Sequence, residues 1–315
     1  MYNFIVNPRA RSKQGNNIWK KLKLELDTRG VIYREFLTTG QGHGKKIADK
    51  LTQNRDKEVT IIVLGGDGTL NEVVNGINSI DRVTLGYIPI GSSNDFARGM
   101  ELETDPYKAL EIILHPTAYR RVDYGIVTLG SFSRRYVVSA GIGYDAGVCY
   151  ETNYSSIKTI LNKLHIGGLT YGIIGLKQLL NLPLVKADIL MDDEKTFEKS
   201  KLIFVSTHIQ RFEGGGFMFC PHASCVDGKL DVCIANNILK LKVLSIIPKA
   251  YTGNHLKYKG INIYRCSKMK IMVDRPLYVH TDGESFIANE EAGNVYLHKE
   301  VTFSNSLDKI KCIVG

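Results

Sequence analysis

Chemistry enters this sequence most clearly at Leu64-Gly65-Gly66-Asp67-Gly68-Thr69-Leu70-Asn71-Glu72, which follows an apolar run and opens a helical pattern. Glycines at 65, 66 and 68 let the backbone approach a ligand closely and present several N–H groups together. The helix start behind them adds unpaired N–H groups and partial positive charge, a seat for phosphate. Asp67 has the wrong sign to meet phosphate alone, and makes sense if Mg²⁺ lies between them. A tight strand-to-helix turn with an N-cap aspartate has the same spacing, so the motif by itself leaves both readings open. A second loop, Pro89-Ile90-Gly91-Ser92-Ser93-Asn94-Asp95-Phe96-Ala97-Arg98, again puts glycine, hydroxyls and capping side chains between a strand and a helix. Two such loops on neighbouring strand ends fit one cleft better than two unrelated caps. The first loop, Asn7-Pro8-Arg9-Ala10-Arg11-Ser12-Lys13, can bring three cations to the same cleft, although each of them singly fits a solvated surface position.

Other chemistries find less support. The sequence has no G-x-x-x-x-G-K-[ST] phosphate loop, no protein-kinase motif set and no nucleophile elbow. Cys220-Pro221-His222-Ala223-Ser224-Cys225 offers zinc-type ligands, but no second pair stands at finger spacing.

The elements that must position these loops alternate up to about residue 122. Phe4–Asn7, Val31–Leu37, Val59–Leu64 and Val83–Ile90 read as strands. Helical spacing appears in Ile18–Leu26, Lys45–Gln53, Leu70–Asn75, from Phe96, and in Tyr107–Leu114 behind Asp105-Pro106. The β-branched run Val59–Leu64 fits a strand buried on both faces of a parallel sheet. Strands and helices in this order predict an α/β domain holding ligands beyond the strands' carboxyl ends. From about Arg121 the rhythm changes. Arg121–Leu129, Arg135–Ala140, Val185–Met191, Leu202–Thr207, Lys229–Ala235, Lys268–Val273, Leu277–His280 and Val295–Leu297 read as strands between turn signals, with helical pattern only in Ser155–Leu182 and Leu239–Thr252. The fold class expected is therefore an N-terminal α/β domain on a parallel sheet and a C-terminal, mostly antiparallel β-sandwich-like domain. The boundaries are 1–122 and 123–299.

Composition narrows the partners. Of 315 residues, 43% are apolar and 23% charged, an ordinary globular mix. Lysine and arginine number 41 against 32 acidic residues, a surplus of 9 that asks for an acidic partner. The surplus is shared by both halves, so no segment reads as a nucleic-acid arm and no nucleic-acid partner is expected. Six cysteines without a C-x-x-C pair fit reduced thiols in a cytoplasmic protein. The most apolar window, Leu164–Leu182, is interrupted by His165, Lys177, Gln178 and Asn181 and falls short of a spanning helix.

Gly65–Gly76 together with Pro89–Arg98 resembles the diacylglycerol kinase catalytic domain, and the chain from Asn7-Pro8 to Asp282-Gly283-Glu284 is similar to the soluble bacterial lipid kinases. The resemblance implies an ATP-binding first domain, completed by residues 300–315, and a second domain for the lipid. Asn7, Pro8, Arg9, Ala10, Arg11, Thr38, Gly65, Gly66, Asp67, Gly68, Thr69, Leu70, Asn71 and Ser92 match nucleotide-contacting positions. Asp67 falls on the family's Mg·ATP aspartate, Asp123 on a second acidic active-site position, and Glu284 on its general base. Ser224, Asp227 and the backbone carbonyl of Lys229 match a structural Mg²⁺ site. Thr281, preceded by His280, stands where relatives have an aliphatic residue. Arg211–Gly216 lies near the region that shapes the lipid site, which leaves the acceptor more open than the reaction.

The expectation is thus a Mg²⁺-dependent kinase for diacylglycerol that visits an anionic membrane surface reversibly from the cytoplasm, with room for a homodimer. Rival acceptors are a sphingoid base, a monoacylglycerol or NAD. A nucleotide-sensing or lipid-carrying protein is the non-enzymatic rival, against which the joint presence of Asp67, Asp123 and Glu284 argues.

Overall fold

The computed structural model describes residues 1–154, 170–290 and 293–315. The chain forms two compact units. The first comprises Met1–Tyr124, Cys225–Asp227 and Ser306–Gly315; the second comprises Gly125–Ser224 and Gly228–Asn305. A parallel α/β part followed by an antiparallel β part, expected from the sequence, is the architecture observed.

In the first unit a six-stranded sheet has the order β2-β1-β3-β4-β18-β5. Its strands are β1 (Tyr2–Val6), β2 (Tyr33–Leu37), β3 (Val59–Gly65), β4 (Val83–Pro89), β5 (Tyr119–Val122) and β18 (Ile310–Ile313). All neighbours are parallel except the pair β18–β5. The helices are α1 (Ala10–Lys13), α2 (Gly15–Thr28), α3 (His43–Leu51), α4 (Asp67–Gly76), α5 (Asp95–Met100) and α6 (Pro106–Leu114). β3 is buried almost throughout because its β-branched side chains meet helices on both faces. One side of the core gathers Phe4, Trp19, Leu22, Leu26, Ile62, Leu64 and Leu110. The Asp105 side chain accepts from the amides of Tyr107 and Lys108, and Pro106 opens α6 as the sequence predicts.

In the second unit, β6 (Gly125–Leu129), β7 (Phe132–Tyr136), β8 (Ser139–Gly143), β9 (Val185–Met191), β10 (Lys195–His208), β11 (Leu230–Asn236), β12 (Ile261–Cys266), β13 (Lys268–Thr281), β14 (Glu284–Ser285) and β17 (Leu297–Asn305) form one antiparallel sheet. β15 (Ala288–Glu290) and β16 (Gly293–Val295) pair separately. Helices α7 (Tyr144–Tyr154), α8 (Thr170–Asn181) and α9 (Lys240–Ile246) accompany them. Of the helix expected over Ser155–Leu182, residues 155–169 lie outside the described residues, and helix is present from Thr170.

Several expected elements differ. Arg121–Leu129 is not one strand: the chain leaves the first sheet after Val122, the Asp123 amide donates to the Cys225 carbonyl at 2.7 Å, and a new strand begins at Gly125. Lys268–Val273 and Leu277–His280 are one strand, because a register shift against β17 between Met272 and Leu277 absorbs Pro276. β12 and β18 escaped the sequence reading. Both are short, and β18 carries its pattern on only four residues.

Gly76 closes α4 where that helix crosses α3; a Cβ there would collide with the Lys45 carbonyl oxygen and stand 2.9 Å from Ala48 Cβ. Alanine is normally the better helix former by about 1 kcal/mol. Here Gly76→Ala is expected to destabilise the protein by about 1–3 kcal/mol through overpacking, read as a lower urea midpoint. A midpoint equal to or above the parent's would contradict this close helix crossing.

Candidate active site

Four loops leave the carboxyl edge of the parallel sheet: Asn7 after β1, Thr38 after β2, Gly66 after β3 and Gly91–Asn94 after β4. Their backbones are tied to one another. The Asn7 amide donates to the Leu64 carbonyl at 2.8 Å, the Thr38 amide to Val6 at 2.8 Å, and the Ile90 amide to Gly65 at 2.9 Å. Asn7 Nδ2 donates to Thr69 Oγ1 at 2.9 Å, while Asn7 Oδ1 accepts the Arg9 amide at 3.0 Å. Asn7, Arg9, Gly65, Gly66, Thr69 and Thr38 are thus brought together. Pro8 continues the first of these loops, Ala10 and Arg11 open α1, and Gly68, Leu70 and Asn71 lie in α4, with Leu70 and Asn71 fully buried. Ser92 is exposed on the fourth loop.

Backbone meets backbone at the two glycine loops. A Cβ on Gly91 would stand 2.5 Å from Gly66 Cα, and one on Gly66 would stand 3.1 Å from Gly91 Cα. Asn94, at φ 51°, closes its own turn by accepting the Gly91 amide at 2.8 Å. Asp67 then joins the loops: its carboxylate accepts the amides of Asp95 at 2.9 Å and Phe96 at 3.2 Å, at the start of α5. From the same helix Glu72 accepts the amides of Gly42 at 2.6 Å and Gly44 at 2.9 Å, at the start of α3. Asp67 is therefore a cap, but for a helix other than its own.

Asp95 was placed by sequence reasoning only in a capping loop. It is 4% exposed, and with Asp67 it acts on the buried phenol of Tyr87. Burial foremost, then the two carboxylates, push that phenol well above the ordinary tyrosine range, so it stays protonated. Two carboxylates gathered beside glycine loops are a hard oxygen donor set suited to Mg²⁺.

Asp123 is fully buried and ion-paired with Lys309 Nζ at 2.8 Å. Lys309 also donates to the Val226 carbonyl at 2.8 Å, so Asp123 clamps the Cys225–Asp227 segment. By register Val122 is level with Ile310, and Lys311 with Thr84 near the start of β4. The glycine loops leave the other end of β4, so the sheet separates Asp123 from them along the strand direction. Of the expected metal ligands, Asp227 is exposed, and Lys229 Nζ donates to Ser267 Oγ at 2.8 Å. Ser224 precedes the clamped segment. Ser224 Oγ, the Asp227 carboxylate and the Lys229 carbonyl are oxygen donors of the kind Mg²⁺ takes.

Glu284 stands in the second unit on a hairpin whose turn residues, Asp282 and Gly283, have φ 49° and 78°. The Asp282 carboxylate accepts the amides of Val137, Val138 and Ser139 at 3.0, 2.8 and 3.1 Å, and its own amide donates to Ser139. His280, noticed in the sequence only as the neighbour of the unusual Thr281, is the other anchor. Its Nε2 lies 3.1 Å from Asp145 Oδ2, and its Nδ1 lies 3.4 Å from the Gly283 amide. Gly141 makes room for the pair, since a Cβ there would collide with the Asp145 carboxylate. Burial pulls the His280 imidazole down, but Asp145, with Glu213 and Asp282 behind it, more than reverses this, and the net shift is upward.

Residues 1–127 match the family model of the diacylglycerol kinase catalytic domain, and residues 137–294 match that of the YegS C-terminal NAD kinase beta sandwich-like domain. YtlR of Bacillus subtilis, provisionally named a lipid kinase, is 28% identical over 291 residues, 89% of this chain and 92% of its own. The diacylglycerol kinase of the same organism is 31% identical over 244 residues, 76% of each chain. A crystal structure of a diacylglycerol kinase from Bacillus anthracis covers 100% of this chain with 96% of its own, at a TM-score of 0.68 and 20% identity, a likeness of fold.

The His280–Asp145 pair has a signature in stability. A raised folded pKa means that its contribution is fully present below about pH 6.5, the unfolded value, and is lost as pH rises through the higher folded value. His280→Gln is expected to remove that fall, giving a flatter curve of unfolding free energy against pH above about 6.5. Parallel curves for parent and variant would show that His280 gains no proton affinity on folding.

Proposed function

The chain belongs to the diacylglycerol kinase catalytic-domain family and is a lipid kinase, and we propose that it transfers the γ-phosphoryl group of ATP to the free hydroxyl of diacylglycerol, yielding phosphatidic acid, at an anionic membrane surface. The observation that carries this reading is the pair of glycine loops at one sheet edge, joined through Asp67 with Asp95 beside it. Phosphoryl transfer is mostly positioning and charge neutralisation, and this edge offers both. Asn7 to Arg11, Thr38, Gly65 to Asn71 and Ser92 are assigned to the nucleotide. Backbone amides of the loops hold the phosphates, which glycine at 65, 66 and 68 lets come close.

Asp67 and Asp95 are the residues assigned to Mg²⁺, which when bound neutralises the phosphate oxygens. Ser224, Asp227 and the Lys229 carbonyl are assigned to a second, structural Mg²⁺, with Asp123 and Lys309 steadying their loop. Glu284 accepts the proton of the lipid hydroxyl as its oxygen attacks the γ-phosphorus and the bond to the β-phosphate oxygen breaks. The Asp282 anchor and the His280 bond hold the hairpin that carries this carboxylate.

Phosphate transfer from labelled ATP to a panel of diacylglycerol, monoacylglycerol, a sphingoid base and NAD tests the acceptor. Labelled phosphatidic acid is expected; a label on another acceptor alone would overturn the diacylglycerol assignment. Glu284→Gln is expected to lower kcat by about 100-fold or more, with the KM for ATP little changed. Asp67→Asn is expected to abolish use of Mg·ATP in a folded protein. Full turnover by either variant would remove the role given to that residue.

A further inference from the structure

Helix α8 is apolar on two sides. Ile174 and Leu179 are fully buried, while Ile173, Leu176 and Leu180, spaced by three and four residues, lie open to solvent. Leu184 continues this stripe beyond the helix. A helix at a protein surface ordinarily turns polar side chains outward. At the start of α9, Leu239 and Leu241 are 79% and 70% exposed, although Val243 and Ile246 of the same helix are buried. Lys240 Nζ joins the two groups, donating to the Leu180 carbonyl at 2.8 Å and the Leu182 carbonyl at 2.7 Å. One continuous face of open leucines results, within the second unit alone.

The chain that forms this face is short of acid, although Lys177 of α8 is paired with Glu151 at 3.0 Å. The sequence holds no aspartate or glutamate from Val232 to Val273, nor from Thr170 to Ala187. The first of these stretches carries Lys240, Lys242, Lys249, Lys257 and Lys259, of which the last four are exposed. The fold thus brings two acid-free segments together at the leucines. Exposed apolar side chains ringed by lysines match the interface of an anionic bilayer, where leucines enter the headgroup boundary and ammonium groups meet phosphates. A second copy of the chain fits less well, because a two-fold contact would set these lysines against their own copies.

We propose that the face formed by α8, Leu184 and the start of α9 docks this protein on an anionic phospholipid bilayer. The proposal rests on the lipid-kinase reading for the reason to visit a membrane, and on the exposed leucines and lysines for the place. Each lysine near the surface adds roughly 1 kcal/mol of attraction, screened within about 8 Å at physiological salt.

The test is co-sedimentation of the full chain with vesicles of phosphatidylcholine, alone or mixed with phosphatidylglycerol. Binding is expected only with phosphatidylglycerol and should weaken as salt is added. Leu239→Ser combined with Leu241→Ser is expected to weaken it about tenfold or more, and Lys242→Gln with Lys249→Gln to weaken it and blunt the salt dependence. All variants should keep the parent's thermal midpoint and its turnover of a short-chain diacylglycerol free in solution. Vesicle binding unchanged by the leucine pair overturns the docking face. So does a dimer that forms without vesicles and is lost in that variant, which would assign the face to a second copy. Leucine-dependent vesicle binding by a protein that phosphorylates no lipid supports the face and strikes the acceptor reading alone.

Discussion

The carboxylate of Asp67 is the contact on which the nucleotide-binding edge depends. Helix starts leave amides without partners, and a carboxylate is the strongest common acceptor for them. Asp67 opens α4 yet spends its oxygens on the Asp95 and Phe96 amides of α5, while Glu72, further along α4, does the same for α3. Two helix starts are therefore held by a third helix. The arrangement needs the loops after β3 and β4 to touch, which the glycines at 66 and 91 permit, since a side chain at either position would meet the other's backbone. An ionised carboxylate has about four lone-pair directions. A carboxylate can serve more than one partner, so capping is no obstacle in kind to the metal role assigned to Asp67.

The second unit uses the same device on its hairpin. Asp282 gathers three successive amides from Val137 to Ser139, which fixes a turn whose left-handed Asp282 and Gly283 could otherwise adopt several geometries. His280 adds a contact that depends on protonation. Only the neutral imidazole can accept the Gly283 amide, whereas the bond to Asp145 survives in either state. Glu284 is thus carried by a turn whose backbone is bound at one end by a fixed charge and at the other by a titratable ring.

The sequence made the strands around the glycine loops legible because the β-branched run Val59–Leu64 admits few other structures. It also made the loops legible, because three glycines at a strand end need a reason. Asp95 and Glu72 were harder: their partners lie about 30 residues away, and local spacing describes each only as a helix residue or a cap. The His280–Asp145 pair, separated by 135 residues, left no local trace beyond a histidine next to the unusual Thr281. β18 is the clearest loss in the fold. Four residues cannot display a period, and their strand character comes from inserting between β4 and β5. β13 was divided at Arg275-Pro276, since proline argues against a continuous strand until a register shift takes it in.

Net charge shows how folding changes the meaning of a composition. Eighteen basic and fourteen acidic residues before residue 123, and twenty-three and eighteen from residue 123 onward, make the two parts look equally and weakly basic. In the first unit much of that charge is paired locally, as with Arg29 between Glu25 and Glu111 and Lys23 with Glu35. In the second, pairs such as Lys268–Asp193 and Lys270–Glu300 occupy the strands and Lys177 pairs with Glu151, whereas α9 and the segment after it carry lysines with no acid in their own stretch of chain. Field strength at a surface follows local sums over about a Debye length, not totals over a domain. An average spread over the sequence therefore becomes, once folded, a polarised second unit whose most basic segments border its most open leucines.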